Sequence, residues 1–118
     1  MQGHEIEMTL LARVPDRAEC ESRATYYWRK LLEDCPGCSV EPASCRDELS
    51  PRFAGLFDDR PFPATYLNLT AGAAGERDGR VVVYGTSDHK DKIVCELMRQ
   101  VMLKKYHGTA WCVTPSVP

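Results

Sequence analysis

The sequence has no long hydrophobic run and no excess of positive charge. Its longest apolar stretches, such as residues 81–84, are far shorter than the roughly 20 residues that span a bilayer. Lys and Arg number 15 against 17 Asp and Glu, a formal net charge of -2. Chains that bind nucleic acid through its phosphates usually carry a clear basic excess. We therefore expect no transmembrane segment, and nucleic acid is disfavoured as a partner.

The amino terminus also shows no recognisable targeting signal. A secretory signal needs a basic region followed by an apolar stretch, whereas residues 1–11 are acidic and alternate in polarity. The same residues lack the Arg- and Ser-rich character of a cleaved mitochondrial presequence. We expect a protein that stays where it is made or one that enters an organelle on an internal signal.

The apolar patterns that are present predict one small α/β domain. A chain of 118 residues has room for a single core. Alternation and period-3.6 patterns predict the order β-α-β-α-β-β-α, with its elements near residues 4–14, 17–33, 39–44, 48–57, 64–70, 80–85 and 87–106.

This order predicts a thioredoxin-like fold over residues 1–108, with a mixed β-sheet of about four strands flanked by helices. An extended tail is expected over residues 109–118. If the middle strand and the short helix are loop, the order becomes that of a ferredoxin-like βαββαβ fold, which is the alternative.

Six cysteines are more than a chain of this size needs, and their spacing is not that of a secreted disulfide framework. Cys95 lies within a helical apolar pattern, which predicts a buried and unreactive thiol. Cys20 stands near the start of the first helix, where the helix dipole favours a thiolate. Its neighbours Glu19 and Glu21 oppose that effect, so thiol oxidoreductase activity at Cys20 is an alternative and not the main prediction.

Cys35 and Cys38 form a C-x-x-C pair at the carboxyl end of the first predicted helix, where the dipole disfavours a thiolate. Three interpretations stay open: free or structural thiols, a disulfide that pairs Cys35 with Cys45 or Cys38 with another cysteine, and half of a zinc site that includes Cys45. We predict no catalytic residue, no cofactor and no metal for this chain.

Other side chains are predicted to lie on the surface, some of them against partners. The histidines at 4, 89 and 107 and the loop carboxylates at 58, 59, 76 and 78 are expected to be solvated. Phe62 and Val117 are expected to be buried only against partners. The residues predicted to contact partners are Trp111, Val113, Arg77 and Arg80.

Several stretches together follow a pattern shared by one family. They comprise residues 10–15 at the end of the first strand, 23–32 in the first helix, 43–45 after the second strand, 51–57, and 84–88 before the last helix. In this pattern the chain resembles a mitochondrial thioredoxin-like family. That family includes a small accessory subunit of respiratory complex I (NADH:ubiquinone oxidoreductase) and certain mitochondrial ribosomal proteins.

The resemblance implies a non-catalytic subunit of a large mitochondrial assembly on the matrix side, without a cleaved presequence. The slightly acidic charge favours the complex I branch of the respiratory chain, because ribosomal proteins that bind rRNA are usually basic. In the complex I member a cysteine at the end of the first strand can pair with one after the second. In this chain Leu11 lies at the end of the first strand, where that member has its cysteine. A disulfide to Cys45 therefore requires Cys20 in place of the missing cysteine.

Overall fold

Four strands and two α-helices make up most of the regular structure in the part of the chain that the structure describes. The computed structural model describes residues 7–34, 37, 39, 44–58, 60–85 and 87–116. The strands are β1 (Glu7–Ala12), β2 (Thr65–Thr70), β3 (Gly79–Tyr84) and β4 (Thr109–Val113), and the helices are α1 (Arg17–Asp34) and α2 (Asp88–Met102). Two 3₁₀ turns, Pro51–Phe53 and Leu56–Asp58, precede β2.

The chain divides into two compact units. One unit comprises Met1–Arg13 and Phe53–Pro118 and contains all four strands and α2. The other comprises Val14–Arg52 and contains α1. None of the helices described is both long and apolar enough to cross a membrane.

The strands form one sheet in the order β1-β3-β2-β4, and every neighbouring pair is antiparallel. Val81, Val82 and Val83 give β3 the β-branched composition that suits a central strand buried on both faces. Gly85 ends this strand with φ at 110°, a conformation that side chains with a Cβ rarely adopt.

The core lies on both faces of the sheet. On one face the inward residues of β2 and β3, such as Leu67 and Val83, pack with Cys95 of α2. On the opposite face Tyr66 and Val82 pack with Leu56 and Phe62 from the segment before β2.

Helix α2 begins at the residue predicted from the sequence but ends earlier than predicted. Ser87 is the N-cap, and its hydroxyl accepts a hydrogen bond from the Lys90 amide at 3.3 Å. The predicted continuation to residue 106 is wrong, because a turn at 103–105 follows Met102. That turn brings Gly108 against the Thr70 carbonyl, where a Cβ atom would clash, and β4 starts from this close approach.

The predicted α/β class, with about four strands in one sheet together with helices, is confirmed. The described elements follow the order β-α-β-β-α-β, and β3 lies between β1 and β2. This is the element order of the alternative. The short helix predicted over 48–57 is replaced by the two 3₁₀ turns.

Two further expectations concern the edges of the sheet. The strand expected at 39–44, which would supply the parallel pair of a mixed sheet, falls mostly outside the described residues. The expected tail over 109–118 contributes strand β4, which pairs with β2 from Thr109 to Val113. The regular structure therefore extends past residue 108.

Candidate functional site

The first candidate site is a disulfide at the start of α1. Asp16 precedes the helix, and its carboxylate accepts a hydrogen bond from the Glu19 amide at 2.8 Å. Cys20 lies in the first turn of the helix, and its Sγ is bonded to that of Cys45, with the two Cα atoms 5.9 Å apart. Both cysteines are half-buried, so a reagent in solution can approach the bond.

The surroundings of this disulfide are polar. The Arg17 guanidinium donates a hydrogen bond to the Cys45 carbonyl at 3.5 Å. It also lies within 4.0 Å of the Glu21 carboxylate and 3.7 Å of that of Asp47. A shallow depression beside the bond is lined by Arg17, Glu21, Ala24, Thr25 and Cys45. A helix amino terminus and a guanidinium both stabilise a thiolate, so this arrangement can support thiol–disulfide exchange.

The pairing of Cys20 with Cys45 decides part of the cysteine chemistry. Cys45 is available neither to pair with Cys35 nor to bind zinc, so those two alternatives are wrong in the form stated. Cys35 and Cys38 lie outside the described residues. Among the residues that are described, no group of three or more His, Cys, Asp or Glu could hold a metal ion.

A second disulfide joins α2 to β4. Cys95 is fully buried, as expected, but its sulfur is bonded to Cys112, with the Cα atoms 6.1 Å apart. The prediction of a free thiol is therefore wrong. Cys112 was assigned to a tail, and only its place in a strand beside α2 brings the two sulfurs together.

Arg80 is buried, which contradicts its predicted role as a partner contact. Only 5% of its surface is exposed. Its guanidinium donates to the carbonyls of Leu56 (3.2 Å), Leu69 (3.3 Å) and Gly79 (2.8 Å) and lies 4.6 Å from the centre of the Phe57 ring. Its function is to join the 3₁₀ segment to the sheet. A charged residue next to Val81, Val82 and Val83 was the signal in the sequence, because β3 is buried on both faces.

The other predicted contact residues differ in exposure. Trp111 is 43% exposed and can meet a partner. Val113 is half-buried and packs against the core. Arg77 is also half-buried, and its carbonyl accepts a hydrogen bond from the Tyr106 hydroxyl at 2.8 Å. Phe62, expected to be buried only by partners, is buried within the chain itself. Val117 lies outside the described residues.

Glu76 joins the hairpin connection to the segment after α2. Its carboxylate accepts hydrogen bonds from the amides of Gly72 (3.0 Å), Ala73 (3.1 Å) and His107 (2.5 Å), and it lies 3.2 Å from the His107 ring Nδ1. Burial favours the neutral form, but these hydrogen bonds outweigh it and hold the pKa of Glu76 at about 2, below its ordinary 4.5. The expectation that this carboxylate is merely solvated is therefore wrong.

Tyr106 lies beside the Glu76 hydrogen-bond network. Burial raises the pKa of the Tyr106 hydroxyl, and the carboxylates of Glu76 and Asp78 raise it further. The hydroxyl therefore stays protonated at neutral pH and keeps its hydrogen bond to the Arg77 carbonyl.

The second candidate site is a set of exposed apolar side chains that the sequence analysis did not identify. Met8 and Leu10 of β1 are 45% and 53% exposed, and Ile93, Leu97 and Val101 of α2 are also exposed. We call these five residues the apolar band.

The register of the sheet explains why the β1 part of the apolar band is exposed to solvent. Met8 and Leu10 lie opposite Val83 and Val81, so all four point to the α2 side of the sheet. Helix α2, however, packs against β2, β3 and β4, which leaves the outermost strand uncovered. The helical spacing i, i+4, i+8 groups the three α2 residues on one side of the helix, but it does not show that this side is exposed.

Comparisons with known proteins give no relative for this chain: no family model, no curated protein and no solved structure matches it.

Proposed function

We propose that this chain is a non-catalytic accessory subunit of a larger protein assembly, and that the assembly is mitochondrial respiratory complex I. The observation that carries the proposal is the apolar band on β1 and α2. Exposed apolar side chains that neighbour one another, as Met8 and Leu10 do on β1 and as Ile93, Leu97 and Val101 do along α2, are a typical mark of a protein interaction site. Burial of these side chains against a neighbouring subunit would contribute roughly 25 cal/mol for each Å² removed from water.

The choice of complex I is supported by the sequence resemblance over residues 6–57 and by the net charge of -2. A subunit held by apolar contacts with other proteins needs no basic surface, whereas one held against rRNA usually does. The mitochondrial ribosome is therefore the second assembly to test.

The disulfides bear on the location of the subunit. Disulfides persist in oxidising compartments and are rare where glutathione keeps thiols reduced. The resemblance favours the matrix side, whereas the two described disulfides favour the oxidising side of the inner membrane. Alkylation of thiols in intact mitochondria, followed by mass spectrometry of the half-buried Cys20, distinguishes the two locations, because matrix protein would carry the label on Cys20.

Native gel separation of solubilised mitochondria, with mass spectrometry of the bands, tests the proposed function. The full-length chain should migrate with complex I subunits, and Leu97→Glu should release it because a charge would enter the apolar contact. Gln100→Glu is the matched control, since it adds the same charge to an exposed position of α2 outside the band. Migration of the wild-type chain alone at about its own 13.3 kDa would contradict the proposal.

Thiol–disulfide exchange is a second candidate function, favoured by the half-buried Cys20–Cys45 bond beside Arg17. A reducing thiolate would attack one sulfur, form a mixed disulfide and release the other cysteine as a thiolate. An assay with a glutathionylated peptide tests this function, and Cys20→Ser should abolish the activity. Equal rates with the variant and the wild type would remove this candidate.

A further inference from the structure

We propose that two copies of this chain associate through the outer edge of β1, in an antiparallel pair with Leu10 on the two-fold axis. The proposal is independent of the assembly to which the chain belongs. It rests on the hydrogen-bonding direction of the strands, on the difference between the two edges of the sheet and on the charges at the two ends of β1.

The hydrogen-bonding direction follows from one contact. The Arg13 amide donates to the Asp78 carbonyl at 3.0 Å, which continues the β1–β3 register by one residue. Hydrogen-bonded and non-hydrogen-bonded pairs alternate in an antiparallel ladder. Residues 7, 9, 11 and 13 therefore direct their backbone groups towards β3, and Met8, Leu10 and Ala12 direct theirs away from the sheet.

The two edges of the sheet differ in their accessibility. The same alternation, carried through β3 and β2, directs the Ala110 carbonyl of β4 outwards, where the Arg99 guanidinium caps it at 2.6 Å. Strand β1 has β3 as its one neighbour within the described part of the chain. Like β4, it contains neither Lys nor Pro, which commonly protect exposed edges from pairing, so the cap on Ala110 is the difference between the two edges. The open edge is therefore at β1.

The charges on β1 favour a second copy as the occupant. Because only even-numbered residues direct their backbone groups outwards, the register of two copies must place even opposite even. With Leu10 opposite Leu10 of the second copy, Met8 lies opposite Ala12 of that copy and Glu7 lies opposite its Arg13. The two-fold axis repeats both pairs, so the interface contains two Glu7–Arg13 pairs. Opposite charges directly across an antiparallel pair are stabilising. The apolar side chains of both copies would also lie together on the α2 side of a continuous sheet.

Sedimentation equilibrium of the full, oxidised chain tests the proposal. We expect a concentration-dependent species of twice the chain's 13.3 kDa. Leu10→Lys would place two ammonium groups opposite each other on the axis and should weaken the dimer at least about tenfold. Leu97→Lys, the same change on α2, should leave the dimer intact. Glu7→Arg alone should weaken the dimer, and Glu7→Arg with Arg13→Glu should restore it.

Hydrogen exchange of the wild-type chain provides a measurement that does not depend on the folding of any variant. The outward amides of Met8, Leu10 and Ala12 should exchange more slowly at high protein concentration. A monomer at about 100 µM would overturn the proposal, as would a dimer that Leu97→Lys breaks and Leu10→Lys does not. Protection of these amides at every concentration would assign the edge to the chain's own residues, and protection only with another protein would assign it to a foreign strand.

Discussion

At the scale of single residues, the most informative side chains are those whose charge is used inside the fold. Glu76 and Arg80 both join segments that are distant in sequence, and both do so mainly through backbone groups. A charged side chain that satisfies several buried backbone groups cannot be removed without leaving those groups unpaired. Their substitutions should therefore affect folding, whereas substitutions of exposed charges should not.

Glu76→Gln should lower the free energy of unfolding at pH 7, because an amide nitrogen would face an N–H donor that now meets a carboxylate oxygen. The pKa of Glu76 is about 2 in the folded protein, below its ordinary 4.5. Its contribution is therefore complete above pH 4.5 and is lost as the pH falls towards 2. Urea titrations across this range should show the two proteins converging at low pH. A constant difference, or an equal loss in the exposed control Glu33→Gln, would contradict this account.

Arg80→Met should lower the free energy of unfolding by about 2–4 kcal/mol, because the carbonyls of Leu56 and Leu69 lose a buried donor. Arg80→Lys should recover only part of this loss, since an ammonium cannot reproduce the planar fork of hydrogen bonds. Arg46→Met, at an exposed position, is the control and should lie within about 0.5 kcal/mol of the wild type. Guanidinium titration measures all three. A wild-type value for Arg80→Met would show that Arg80 is not needed for folding.

At the scale of secondary structure, the pattern of the sequence was sufficient where an element has a distinctive local composition, as the β-branched and aromatic strands do. Strands predicted at 64–70 and 80–85 agree with β2 and β3 within one residue at each end. The start of α2 at Asp88 likewise agrees with the element predicted from residue 87. The pairing of Cys95 with Cys112 could not be predicted, because it depends on β4 lying beside β2, a contact that no local pattern specifies. The apolar band was missed for the same reason: its exposure depends on which strands α2 covers.

The two disulfides should differ in their resistance to reduction. Cys20–Cys45 is half-buried, whereas Cys95 is fully buried in the core. Mild reduction followed by alkylation and mass spectrometry should label Cys20 and Cys45 first. Removal of the core pair by Cys95→Ala with Cys112→Ala should cost about 3 kcal/mol for a loop of this length, before any packing loss. Labelling of the core pair first would contradict the burial described here.

At the scale of the whole chain, the second disulfide joins α2 to β4 and so spans the loop at residues 103–108 that connects them. Lys104 and Lys105 are exposed in that connection. Cleavage there by a Lys-specific protease should leave the carboxyl-terminal piece attached through Cys112 to Cys95. A non-reducing gel should show one product, and a reducing gel should show two. Release of the piece without a reductant would mean that this covalent link is absent.

The capped carbonyl of Ala110 also determines how far the protein can self-assemble. A sheet that is open at both sides can recruit copies without end, which is the geometry of a fibril. Here the Arg99 guanidinium caps the Ala110 carbonyl on the β4 side, so we expect that side to disfavour the addition of a third copy. Association by strand addition would then stop at two, and loss of Arg99 would turn a closed pair into the repeating unit of a filament.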